Sequence, residues 1–135
     1  MKQFIILAAV LPILMIFTTQ TVYDQRSNLA VSLVNDIVYA AKEEAKVEGS
    51  FTWEIQDRLR SDLSRALSVP SGEIRIACSE NDGLLYYKVA VPIKNVIAGG
   101  RLLGIKDRDN QYMYVIDSYT RGRAIPEDYE NDDEI

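Results

Sequence analysis

A chain of 135 residues holds one ordinary domain, and its net charge of −5 is concentrated at the C-terminus, where residues 127–134 carry six carboxylates and no base. The remaining fourteen acids face fifteen scattered bases, and a neutral body without a basic face excludes nucleic acid as the main partner. No histidine is present and Cys78 is the single cysteine, so a Ser-His-Asp site and an internal disulfide are both excluded.

The first element is apolar. From Phe4 to Phe17 the run FIILAAVLPILMIF has no charged or strongly polar side chain, and Phe4, Ile5, Leu7, Leu14 and Phe17 are among its large apolar members. Between Lys2 and Asp24 no residue is charged, and a helix of that length is about 30 Å long, the thickness of a bilayer's hydrocarbon core. Residues 1–23 therefore read as a transmembrane anchor, with Tyr23 at headgroup level and Lys2 favouring a cytoplasmic N-terminus and an extracytoplasmic domain. Pro12 sits inside the run and removes one backbone hydrogen bond from it. A cleaved signal peptide is the competing reading. Its best cleavage site, Thr19-Gln20-Thr21, would leave a chain starting at Val22 and is a poor match to Ala-x-Ala.

No strong breaker follows before Gly49, which predicts that the anchor is the first half of one helix running to about residue 48. Leu29, Leu33, Ile37, Ala41 and Ala45 recur every fourth residue and are the expected packing stripe of its outer half, with Ala30, Val34 and Val38 widening it. A second amphipathic helix starts at Ser50 or Thr52, with Ile55, Leu59, Leu63 and Leu67 on one face, and stops before Pro70-Ser71-Gly72.

The period then becomes two. Ile74, Ile76 and Cys78 alternate with Arg75, Ala77 and Ser79; Asn81-Asp82-Gly83 is a hairpin turn; Leu85, Tyr87, Val89, Val91 and Ile93 share one face of the next strand. Pro92 marks that strand as an edge or its end as irregular. Leu102–Ile105, the polar turn at residues 107–110 and Tyr112–Tyr119 are expected to form a second hairpin. The fold class is thus α+β: a long N-terminal membrane helix continuing into the domain, a second helix, and a small antiparallel sheet of about four strands. The domain is expected over residues 24–125 and a disordered acidic tail over 126–135.

Candidate chemical sites are weak. Asp107-x-Asp109 lacks the glycine and glutamate of a calcium loop, and Gly99-Gly100 belongs to no phosphate-binding pattern. The expectation is a protein that is not an enzyme, with no cofactor, no metal and no small-molecule substrate.

The order of elements is that of pilin-like proteins, and Tyr39-Ala40-Ala41-Lys42-Glu43-Glu44-Ala45-Lys46 resembles the Ala-rich stretch of TadE-like minor pilins from tight-adherence (Flp) pilus systems. The resemblance covers about residues 4–95. It implies a membrane-anchored subunit or assembly factor of a pilus or secretion apparatus, whose partners are the lipid bilayer and other pilin-like or pilus-assembly subunits. Ala8 and Ala9 would allow close helix packing in lipid. In such proteins a prepilin peptidase commonly cuts after a glycine, with a glutamate five residues on. Here no glycine precedes the apolar run and no glutamate lies in it, so an unprocessed anchor is expected. The alternative, from a different class, is a secreted or membrane-tethered binding module unrelated to pili.

Overall fold

The computed structural model describes residues 1–123; the predicted acidic tail and the end of the predicted domain lie outside them. Helix α1 runs from Lys2 to Glu48 without interruption, through Pro12, and at 1.5 Å per residue is about 70 Å long. It ends at Gly49, whose left-handed conformation (φ 82°) lets its N–H donate to the Ala45 carbonyl at 2.8 Å. A second carbonyl of the last turn, that of Lys46, accepts from the Arg123 N–H at 3.0 Å. The returning chain passes so close here that a Cβ on Gly122 would lie 3.3 Å from the Gly49 carbonyl oxygen.

Helix α2, Trp53–Leu67, begins at Thr52, whose hydroxyl accepts from the Ile55 N–H at 3.3 Å, with Glu54 in the first turn. Of the expected stripe, Ile55, Leu59 and Leu63 are buried and Leu67 is half-buried. Ser68 (φ 53°) closes the helix, and a single 3-10 turn, Ser71–Glu73, follows Pro70.

The sheet has three antiparallel strands in the order β1 (Arg75–Asn81), β2 (Leu84–Lys94), β3 (Gln111–Arg121). Asp82 and Gly83, both at positive φ, join β1 to β2 in a two-residue turn of the hand that suits the twist of paired strands. The alternation predicted for β2 holds: Leu85, Tyr87, Val89, Val91 and Ile93 are all buried. Val89 lies between Ile76 of β1 and Ile116 of β3, and both neighbours pack on the same core. Pro92 falls beyond the last β1 pair, Arg75 with Ala90, so at the proline β2 is bonded to β3 alone. Both helices cover this face of the sheet. Val34, Val38, Ala41 and Ala45 of α1 and Ile55, Leu59 and Leu63 of α2 meet the β2 row in one cluster. Phe51, between the helices, packs its ring 5.5 Å from that of Tyr87.

Two expectations are corrected. Residues 102–105 form no strand. Leu102 N–H bonds to the Gly99 carbonyl (2.8 Å), Gly104 N–H to Arg101 (3.2 Å) and Ile105 N–H to Gly100 (2.8 Å), with Gly99 and Gly104 at positive φ. The backbone groups a strand would have offered are spent inside local turns, so the sheet has three strands and β3 pairs directly with β2. The second correction concerns α1. Ala41 and Ala45 are buried and Ile37 is half-buried, but Leu33 is 46% and Leu29 64% exposed. Four residues at about 100° each overshoot a full turn by about 40°, so a strict every-fourth row drifts about 160° from Leu29 to Ala45. The face that packs follows the 4-3-4 spacing of Val34, Val38, Ala41 and Ala45.

Candidate membrane-anchoring helix and its junction with the domain

α1 is one helix with two environments. Every residue from Met1 to Thr19 is exposed, including Phe4 (78%), Ile5, Leu7, Leu14 and Phe17 (69%), as is Pro12. Packing against the rest of the chain starts at Gln20, Tyr23 and Ser27 and becomes complete at Val34. This first half is long and apolar enough to cross a membrane, and none of it is buried by the protein. By length and composition this surface is a candidate membrane span, for which lipid would be the suited solvent.

The polar residues just after Phe17 fit that solvent better than the sequence suggests. Thr18, Thr19 and Thr21 donate their hydroxyls to the carbonyls of Leu14, Met15 and Phe17 at 2.9, 2.7 and 3.0 Å. A hydroxyl satisfied within its own helix costs far less to desolvate than a free one, so the apolar surface extends about one turn past Phe17.

Gln20 ends this stretch and ties it to the domain. Its Nε2 donates to the Val96 carbonyl (3.1 Å) and to Asp24 Oδ1 (2.9 Å), and its Oε1 accepts from the Ala98 N–H (3.0 Å). The loop held in this way, residues 95–110, is itself braced by Asn110, a buried polar side chain. Asn110 Oδ1 accepts from the Ile97 N–H at 2.7 Å and its Nδ2 donates to the Ile97 carbonyl at 3.0 Å. A Cβ on Gly100 would fall 2.8 Å from Asn110 Nδ2, so a glycine is needed beside the brace. On the loop surface Arg101 grips Asp107 through two bonds of 3.0 and 2.6 Å, which lowers the Asp107 carboxyl below its ordinary range and raises the guanidinium. No local pattern announces Gln20 as a junction, because its partners lie 76 and 78 residues away.

The outer half of α1 is fixed to the sheet as well as to α2. Tyr114 on β3 donates its hydroxyl to Asn35 Oδ1 at 3.1 Å, and Arg58 of α2 reaches Glu44 at 2.7 Å. The Ala-rich stretch is placed so that Ala41 and Ala45 face the core, while Lys42 and Lys46 bracket Glu43 on the surface. The hydrogen bond from Lys46 is the main reason the Glu43 carboxyl titrates below its ordinary value, with Lys42 adding to it. Cys78 faces inward on β1 and is half-buried, and desolvation pushes its thiol up to about 11. Among the described residues no group of three or more His, Cys, Asp or Glu side chains is arranged to hold a metal ion. No family model, no curated protein and no solved structure matches this chain.

Proposed function

We propose that this chain is a membrane-anchored, pilin-like subunit or assembly factor of a pilus or secretion apparatus, and that it acts by protein–protein contacts, not catalysis. The observation that carries the reading is α1 itself: one helix supplies both an unburied apolar segment and the spine on which the second helix and the sheet are packed. A tether needed only for retention would not have to be continuous with the core. A continuous helix couples what happens in the bilayer to the orientation of the outer domain, which is what a subunit assembling through its membrane helix requires. The Ala-rich stretch at residues 39–46, with its two inward alanines, supports the same reading by allowing close packing of helix on core.

Processing at Thr21 would cut α1 inside a regular turn and discard Gln20 with its bonds to Val96 and Ala98. An uncleaved anchor with an extracytoplasmic domain is therefore the form proposed. The test is to separate surface filaments, membranes and medium from cells that make the protein. The protein is expected at full mass in the membrane or filament fraction, and recovery from the medium as a soluble chain beginning at Val22 would overturn the proposal.

A further inference from the structure

The loop between β2 and β3 carries two large apolar side chains that none of the described residues covers. Leu102 is 93% and Leu103 70% exposed, and Ile97 is also exposed. They do not sit on a loose segment. The Asn110 brace, the Gln20 bonds and the run of turn hydrogen bonds from Gly99 to Ile105 hold the loop in one shape. A braced loop that holds leucines in the open is built for an apolar partner.

Its attachment point says which partner. Gln20 lies in the last turn of the apolar stretch, one residue before the self-bonded Thr21 and four before Asp24, so it sits at the outer edge of the hydrocarbon. The polar layer of a bilayer is about 5–7 Å thick on each side of the hydrocarbon. With α1 spanning the membrane, Val96 and Ala98 are therefore pinned at the boundary between hydrocarbon and headgroups. Leu102 is four positions on from Ala98, which keeps it within about 14 Å of that level even at full extension, and the intervening turns shorten the path. Lys94, Arg101 and Arg108 line an open cleft between the same loop and Tyr23, but their charges are balanced by Glu73, Asp107 and Asp109, so the leucines alone carry the contact.

We propose that residues 95–110 form a second membrane contact, in which Leu102 and Leu103 insert into the outer boundary of the same phospholipid bilayer that α1 spans. The proposal rests on the membrane-anchor reading of α1 and adds to it that the domain lies against the lipid and does not stand clear of it.

The experiment uses the full chain in vesicles of phosphatidylethanolamine and phosphatidylglycerol, with Trp53→Phe removing the single native tryptophan. Leu102→Trp, Leu103→Trp and, as the anchor reference, Leu14→Trp are each compared in ordinary vesicles and in vesicles whose acyl chains are brominated near the headgroup. Leu102→Trp or Leu103→Trp is expected to emit to the blue of a water-exposed indole and to lose most of its intensity to bromine. A red, unquenched emission at both loop positions, with Leu14→Trp blue-shifted, would overturn the loop contact and leave the anchor intact. Blue but unquenched emission at the loop would overturn it also, since a protein surface would then be covering the leucines. Red emission at Leu14→Trp would overturn the anchor and the loop contact together.

Discussion

Which face of α1 carries the domain can be tested with one pair of carboxylates. Val34 is fully buried in the cluster formed with α2 and β2, whereas Leu29, five residues earlier on the same helix, is mostly solvated. Val34→Asp forfeits the burial of a valine, about 1.5 kcal/mol. It also forces the new carboxyl to stay protonated in the folded state. Holding a carboxyl neutral at pH 7 against an ordinary value near 3.9 costs about 4 kcal/mol, at 1.36 kcal/mol for each unit. The sum, about 6 kcal/mol, is comparable with the whole stability of a small domain.

The sign follows from linkage. The introduced group titrates higher in the folded than in the unfolded chain, so stability is lost as pH rises from the unfolded value and regained as it falls. At pH 5 the same sum gives about 3 kcal/mol. Leu29→Asp should change stability by no more than about 0.5–1 kcal/mol and show no such slope. Urea unfolding of the full chain in mild detergent micelles, followed by far-ultraviolet ellipticity at pH 7 and pH 5, reads both numbers. Equal losses for the two variants, or a Val34→Asp loss that ignores pH, would refute the assignment of the packed face.

Three further outcomes test the local physics. Gly83→Ala should destabilise the β1–β2 hairpin by about 1–2 kcal/mol, because its φ of 72° is costly for any residue with a Cβ; thermal unfolding measures it. Asn110→Ala removes both bonds to Ile97 and should raise amide exchange across residues 96–105 severalfold while leaving β1 and β2 protected. The Cys78 thiol, pushed up to about 11 by burial, should be alkylated slowly at neutral pH, with a rate rising about tenfold per pH unit. Linkage gives the accompanying sign: the raised value favours the folded state below the ordinary thiol range and that advantage is lost as pH climbs through about 11. Fast modification at pH 7 would mean that Cys78 does not face the core.

The parts of the fold that can be read from sequence are those whose signal is local. α2 declares itself by a cap at Thr52, a four-member stripe that only at its last residue, Leu67, drifts to half-burial, and a stop before Pro70. The hairpin at Asp82-Gly83 and the alternation of β2 are equally local. The outer half of α1 is different, because it is apolar on more than one side. Leu29 and Leu33 outweigh Val34 and Val38 in bulk, and only tertiary contact decides that the smaller side chains are buried. The loop misleads in the opposite way. Leu102-Leu103 has the composition of a strand, but Gly99 and Gly104 at positive φ turn the chain before any ladder can start. Gln20 offered no signal at all, since a glutamine after an apolar run reads as the end of a span and its partners are brought to it by the sheet.

The same long-range contacts determine how the anchor and the domain move together. At the far end of α1, Gly49 and Arg123 cap the helix and fasten the chain leaving β3 to it. At the near end Gln20 fastens the loop that leads into β3. The two points of attachment are about 40 Å apart along the axis at 1.5 Å per residue, with the buried row from Val34 to Ala45 between them. A body held at one point of a helix can pivot about it; a body held at two points and packed between them turns only with the helix. On the proposed membrane reading, any tilt or rotation of the apolar half of α1 set by the bilayer or by a neighbouring helix would be passed to the sheet through both attachments. Cutting the chain after Thr21 would delete the near attachment alone, so the cleaved product would keep its core and the Asn110 brace but lose the loop's tie to α1. The loop's exchange rate in the full-length and truncated chains is consequently a direct measure of how far the anchor is part of the fold.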